Sequence, residues 1–337
     1  MRPFGLLAQL EVTYADGTRE IFGSDENWNV SESRVRFSDI YDGEEYDASF
    51  VPERIERAEV FDGPWETLTE QEGPEVREQE RILPVRHIVT PRGEVVFDFG
   101  QNLTGYVELR VTGRTGDTVD LSFAEVLDRE GNFYTENYRQ ALCRYTYHCR
   151  DGVQSYKPVT TFYGFRYIRV NTFPGCPKLA SAENFTAVVV HSEMKRTGYM
   201  RSSSFLLNRL FDNILWGQKS NFLDVPTDCP QRDERLGWTG DAQVFTAAAC
   251  RNFDTEQFFA KWFSDLRAEQ KDNGYVGHVS PDVLHSEKAS AAWGDAAVIS
   301  PWEVYLAYGN RALLEKQYES MCAWISYITE TTEHRYL

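Results

Sequence analysis

The sequence predicts a multidomain β + α protein in which antiparallel β-sandwich domains precede a helical domain. Up to about residue 192, apolar residues recur in short period-two runs closed by Gly, Asn or Asp. After residue 200 they recur with helical spacing. Strands grouped ahead of helices, rather than alternating with them, indicate separate domains. The 337 residues suffice for two or three such units, and 42% hydrophobic with 14% aromatic residues furnish their cores.

The elements follow in chain order. LAQLEVTYADGTREIF (7–22) is two alternating runs about Ala15-Asp16-Gly17, an Asp-Gly hairpin signal. It belongs to a first β unit over residues 1–62. Residues 63–82, GPWETLTEQEGPEVREQERI, are Glu-rich, hold two Gly-Pro pairs and lack strand alternation, which predicts a linker or surface connection. A second sandwich is expected over 83–194, built from runs such as EVVFDFGQNLTGYVELRVTGRTGDTVDLSFAEVL, RYTYHC, YGFRYIRV and FTAVVVHS.

From residue 195 to 337 the periodicity gives five helices, beginning with SFLLNRLFDNILWGQKSNFL. In it Phe205, Leu206, Leu210, Phe211, Ile214 and Leu215 form one apolar stripe. The fourth, AAWGDAAVISPWEVYLAYGN, is expected to be interrupted at Pro301-Trp302. Trp302 and Trp324 are expected between helices, and Trp293, beside Gly294 and Asp295, toward a cleft. Helix pairs usually close into a toroid or bundle. Five make an open arc, so the helical part reads as cut off.

Bulk properties narrow the function. A net charge of −17 works against phosphate backbones and anionic lipid, so neither nucleic acid nor a membrane surface is the expected partner. No apolar run has the length of a membrane span, and MRPFGLLAQLEVTY lacks the pattern of a secretory signal. The six cysteines include no CxxC pair or zinc spacing; free thiols in a reducing, cytoplasmic compartment are the expectation.

The densest chemistry lies in TDCPQRDERLGWTGDAQ (227–243), where Asp228, Asp233, Glu234 and Asp241 crowd around Trp238. Pro226, Pro230 and Gly237 exclude a continuous helix, placing the acids in a loop between helix ends. Thr239 suits an N-cap, and Asp241 in the first turn suits the positive end of the dipole. Arg232 and Arg235 would hold Glu234 as a salt bridge in a loop fixed by ion pairs. Alternatively, a carboxyl beside an indole face and other acids is protonated more readily, as a general acid requires. An indole also offers a face for sugar C–H groups, while Asp and Arg serve hydroxyls, which suggests a carbohydrate site. Calcium at Asp228, Asp233 and Asp241 is a third reading, without EF-hand spacing. His278 and His285 fall in a loop that could reach the same mouth, although loop histidines are commonly surface residues. No GxSxG, GxxxxGK[ST] or HExxH motif occurs, and no cofactor or metal is expected.

DCPQRDERLGWTGDAQ resembles the signature of the bacterial α-L-rhamnosidases of glycoside hydrolase family 78. WGDAAVISPWEVYLAYGN is similar to the next helix hairpin of that family's (α/α)6 barrel. FDFGQNLTGYVELRV, GDTVDLSFAEVLDREGNFYTENYR and TFYGFRYIRV resemble its β-sandwich, and SDIYDGEEYDAS the end of its N-terminal β domain. The resemblance implies sandwiches followed by an incomplete (α/α)6 barrel, within an internal piece of a larger enzyme. It implies Glu234 as general acid toward a rhamnose-containing glycan or glycoside. Asp228 and Asp241 would hold sugar hydroxyls, Arg232 would orient carboxylates or the sugar, and Trp238 and Trp293 would form apolar walls. The family inverts configuration, and its general base would be a Glu beyond residue 337. A non-catalytic carbohydrate-binding protein, or an inverting (α/α)6 glycosidase for another sugar, are the alternatives.

Overall fold

The computed structural model describes residues 5–63, 65–285 and 289–332. Its first strands are β1 (Gln9–Thr13), β2 (Arg19–Gly23), β3 (Asn29–Ser31), β4 (Val35–Asp39), β5 (Gly43–Asp47) and β6 (Ile55–Arg57). The Asp-Gly turn closes β1 onto β2, with Gly17 at φ 84°, and β3 pairs with β6. β4 and β5 do not stay with this group. They open a ten-stranded sheet that continues through β7 (Val76–Ile82), β8 (Arg86–Val89), β9 (Val95–Gly113) and β10 (Thr118–Ala124). After the small pair β11 (Val126–Leu127) and β12 (Phe133–Tyr134) come β13 (Arg144–His148), β14 (Gly152–Tyr156), β15 (Tyr163–Thr172) and β16 (Phe185–Ser192).

The sheet order is β4-β5-β13-β10-β15-β9-β16-β7, with β8 and β14 also on β9. Every ladder in it is antiparallel except β5 with β13, which is parallel. The 19-residue β9 is the axis: β15 and β14 share one of its edges, β8 and β16 the other. Its ladder with β15 carries a register shift between Phe165 and Tyr167, an irregularity of the kind that lets a long strand bend. A Cβ at Gly105 would fall 1.8 Å from the Val188 carbonyl oxygen, so this crossing admits only glycine. Phe97, Leu109, Leu121, Tyr145, Phe165 and Phe185 are among the fully enclosed side chains of the β core.

Two expectations for this half need correction. Val76–Ile82, taken with the linker, is a strand pairing with β16. It occupies the sheet's edge with most of its residues exposed, so no buried face imposes alternation. Its charges are what an edge strand uses against further pairing. The large sheet also draws on both sides of residues 63–82, through β4 and β5.

The helices are α1 (Phe205–Asn221), α2 (Thr239–Asn252), α3 (Glu256–Glu269), the single turn α4 (Ala291–Gly294), α5 (Ala296–Tyr308) and α6 (Arg311–Thr331). They surround a second core centred on Phe258, Phe259, Trp262, Phe263 and Trp324. Two short strands, β17 (Phe222–Leu223) and β18 (Val225–Pro226), lead out of α1. The two halves meet where the Thr104 hydroxyl donates to the Ser220 carbonyl, buried, at 2.9 Å.

The helical expectations fare unevenly. α5 runs through Pro301, and the break falls earlier, at Asp295, between α4 and α5. Trp324 is enclosed and donates to Asp295 at 3.0 Å, but Trp302 is 46% exposed. On α1 only Leu215 of the expected stripe is buried; Phe205, Leu206 and Leu210 face solvent. None of the six cysteines is paired; Cys143, Cys149, Cys229 and Cys250 are buried, Cys176 and Cys322 exposed.

Candidate active site

The acidic loop connects β18 to α2 and is closed at its neck by Asp228. Its amide donates to the Leu236 carbonyl, and its Oδ1 accepts from the Leu236 amide, both at 3.0 Å. Beyond the neck, the Ser280 amide donates to the Gly237 carbonyl at 2.9 Å, and a Cβ on Gly237 would fall 2.2 Å from the Ser280 oxygen. α2 starts at Thr239, so Trp238 is the cap residue rather than Thr239. The Thr239 hydroxyl instead donates to the Gly277 and His278 carbonyls, tying the helix start to the next loop.

Within the loop, a chain of charges runs from Asp228 to the sandwich. Arg232 Nη2 reaches Asp228 Oδ2 at 3.2 Å, and Arg232 Nε reaches Glu234 Oε2 at 2.9 Å. Arg139, from the loop before β13, reaches the same Oε2 at 2.9 Å. Asp241 stands on the first turn of α2. Burial raises its pKa, and the charges of Asp228 and Glu234 raise it further. Asp233 makes no ion pair among the described residues, and its Oδ1 is buried without a hydrogen-bond partner there.

Arg235, expected beside Glu234, points the other way. It is 6% exposed and donates to the carbonyls of Ile40 (2.6 Å), Phe162 (2.8 Å), Gln231 and Arg232 (both 3.2 Å). Its guanidinium also lies 5.0 Å from the Phe162 ring centre and 5.6 Å from that of Tyr41. The Tyr41 hydroxyl donates to the Glu234 carbonyl at 2.8 Å, and the Cys143 thiol to that of Gln231 at 3.2 Å. The sandwich therefore grips the backbone on both sides of Glu234, and Arg139 grips its side chain.

Beside this loop lies a cleft of about 580 Å³ between α1, α2 and α4. Asp228, Asp241, Gln243, Phe222 and Trp293 are on its wall. Trp293 packs over Gly240, where a Cβ would approach its ring to 3.1 Å. His278 meets the same indole edge-on at 5.9 Å and bonds to Ser290 Oγ at 2.9 Å, whereas His285 is exposed. Trp293 Nε1, Gln243 Oε1 and Trp238 Nε1 are buried without hydrogen-bond partners among the described residues. Buried polar atoms are normally satisfied, so these mark places where a polar ligand or water belongs.

Asp228, Cys229 and Glu234 offer ligand atoms within 4.8 Å of one another. Arg232 and Arg139 already supply the cations there, and burial pushes the Cys229 thiol up to about 12, far from a thiolate. The cluster fits a hydrogen-bonded carboxylate pair better than a metal site. Of the site residues named from sequence, Asp228, Arg232 and Glu234 form one connected group, and Asp241 and Trp293 share the cleft wall with Asp228. Trp238 sits at the helix start between them. Arg139 and Tyr41 were missed, because nothing in their spacing joins them to a loop in another domain.

Known proteins agree with this architecture. The chain matches the bacterial alpha-L-rhamnosidase 6 hairpin glycosidase domain over residues 195–337, the concanavalin-like domain of the same enzymes over 88–191, and the alpha-L-rhamnosidase N-terminal domain over 2–88. An alpha-L-rhamnosidase of Formosa agariphila is 38% identical over 97% of this chain and 37% of its own length. The crystal structure of a Streptomyces avermitilis alpha-L-rhamnosidase complexed with L-rhamnose superposes with a TM-score of 0.90 at 38% identity, covering 97% of this chain and 33% of that one. An alpha-L-rhamnosidase from Dictyoglumus thermophilum gives 0.89 at 32%, covering 96% and 38%. The chain thus spans little more than a third of these relatives. With all three domains matched in order, and with sandwiches leading into hairpins of a six-hairpin glycosidase domain, the chain belongs to the bacterial alpha-L-rhamnosidase family.

Proposed function

We propose that the protein containing this chain is an inverting glycoside hydrolase that releases terminal α-L-rhamnose, with Glu234 as general acid. The observation that carries this reading is the position of Glu234 beside Asp228, which itself lines a cleft walled by Trp293 and Asp241. A cleft of this volume holds a monosaccharide. Asp228 and Asp241 accept from sugar hydroxyls, and Arg232 fixes both Asp228 and Glu234. The indole of Trp293 faces the apolar side of the sugar, a fitting neighbour for the methyl group of a 6-deoxy ring.

The chemistry needs a proton delivered to the departing glycosidic oxygen while water attacks the anomeric carbon from the opposite face. In inverting enzymes the two carboxyls stand about 6.5–9.5 Å apart to admit that water. Asp228 is bound to Arg232 and to the loop neck, which suits it to binding rather than to activating water. The base is assigned, as the family resemblance implies, to a Glu outside the described residues. A chain carrying only the acid half of the site would bind rhamnose without turning it over.

A panel of aryl glycosides tests the assignment on the full-length enzyme. Cleavage of the α-L-rhamnoside with the β-anomer released first, read by proton NMR, is the expected result. Release of the α-anomer would overturn inversion, and preference for another aryl glycoside would overturn the sugar. Rhamnose binding without cleavage would support a carbohydrate-binding protein instead.

A further inference from the structure

Arg139 is a sandwich residue with no apparent reason to hold its backbone as it does. Its φ of 57° with ψ of −111° lies in a region natural to glycine and strained for arginine. It follows the short 3-10 turn Glu136–Tyr138, whose Tyr138 is buried in the sandwich core. The side chain that results is 52% exposed, yet its Nη1 ends 2.9 Å from Glu234 Oε2. A strained residue persists where its surroundings over-determine it, commonly at functional sites.

The pairing is one-sided. Oε2 takes both guanidiniums, Arg139 Nη1 and Arg232 Nε, each at 2.9 Å, while Oε1 has no hydrogen bond among the described residues. The other groups facing Glu234 are Asp228 and Cys229 from its own loop, Asp241 from α2, and the Tyr41 hydroxyl, which is bound to the Glu234 carbonyl. None of these holds the carboxyl in plane. Arg232 alone leaves it free to rotate about one bond; a second cation, ion-paired from another domain, fixes which oxygen is occupied.

We propose that Arg139 is a positioning residue: with Arg232 it anchors Oε2 of Glu234, so that Oε1 is the oxygen that carries and delivers the proton. This rests on Glu234 being the acid and extends it by naming the oxygen and the domain that orients it. The sandwich then contributes directly to the reaction. A proton leaves Oε1 for the glycosidic oxygen as the C–O bond breaks, and the carboxylate left behind is stabilised by both guanidiniums.

The test uses the full-length enzyme with Arg139→Gly and Arg139→Lys. Glycine suits the backbone at this position, so misfolding does not obscure the first variant. Crystal structures of both should show the Glu234 carboxylate rotated or disordered in Arg139→Gly and held in Arg139→Lys. Arg139→Gly should lower kcat on aryl rhamnosides about 10–100-fold with KM within about twofold. Arg139→Lys should restore most of kcat. A Glu234 carboxylate unmoved in Arg139→Gly, or a loss carried by KM with kcat unchanged, would overturn the proposal. A displaced carboxylate with full turnover would leave the anchoring intact and overturn Glu234 as the acid.

Discussion

Arg235→Met is the perturbation whose cost follows most directly from the structure. The guanidinium is 6% exposed and has no carboxylate partner among the described residues; four backbone carbonyls take its protons. Methionine matches its stem and leaves those acceptors empty. A buried acceptor stripped of its donor costs about 1–3 kcal/mol, though each carbonyl has a second lone pair and some water will enter. Against this, methionine removes the desolvation cost of a buried cation. The left-handed φ of 54° burdens both residues alike. The net loss is about 3 kcal/mol. Urea unfolding followed by tryptophan fluorescence should show the helical transition moved to lower urea, with Arg235→Lys intermediate because an ammonium cannot span carbonyls from three segments. A loss below about 0.5 kcal/mol would refute the view that Arg235 fastens the acidic loop to the sandwich.

Three more outcomes follow. Asp98 is fully buried; burial favours its neutral form, but Arg166 at 2.7 Å, the Gly100 amide and Arg86 outweigh this and hold its pKa below the usual value. A depressed carboxyl lends stability above its unfolded pKa that is lost as pH falls through the folded one. Asp98→Asn should therefore cost about 2–3 kcal/mol at pH 7 and make unfolding less pH-dependent below about pH 4, as read by urea melts at both pH values. Asp241 is the opposite case: its pKa is raised, so its ionised form burdens the fold above that pKa. Asp241→Asn should raise the thermal midpoint slightly at pH 7, the gain vanishing once the wild-type carboxyl is protonated, while rhamnose binding weakens; a lower midpoint at pH 7 would mean that the α2 dipole outweighs burial and like charge. Trp293→Ala should weaken rhamnose binding about tenfold by calorimetry with little loss of stability, since Trp293 is only half-buried at the cleft.

How much of this was legible in the sequence depends on where each signal originates. The change from strands to helices was plain, because β9 to β16 and α1 to α6 impose different periods on their buried faces. The acidic loop was legible too: Pro226, Pro230 and Gly237 forbid a helix, and DCPQRDERLGWTGD is specific enough to name the family. β7 was not, since an exposed edge strand needs no apolar alternation. The apolar stripe was expected on α1 because Phe205, Leu206 and Leu210 share one helical face, but periodicity cannot say whether anything covers that face. Arg139 holds the place beside Glu234 that was expected of Arg235. Sequence proximity suggested Arg235 as the partner of Glu234, but its left-handed backbone turns it toward Ile40 and Phe162, and the vacant place is filled from another domain. Contacts across domains leave no local pattern to read.

Glu234→Gln in the full-length enzyme, assayed on two substrates, shows whether Glu234 delivers the proton. One is an alkyl α-L-rhamnoside, whose poor leaving group needs protonation, and the other the 2,4-dinitrophenyl rhamnoside, which leaves unaided. General acid catalysis is worth about 10²–10⁴-fold. A loss of that size in kcat is expected on the alkyl substrate, a far smaller loss on the dinitrophenyl one, and rhamnose affinity within about threefold of wild type, since glutamine keeps the shape and one oxygen for Arg139 and Arg232. Equal losses on both substrates, or full turnover on the alkyl rhamnoside, would contradict it.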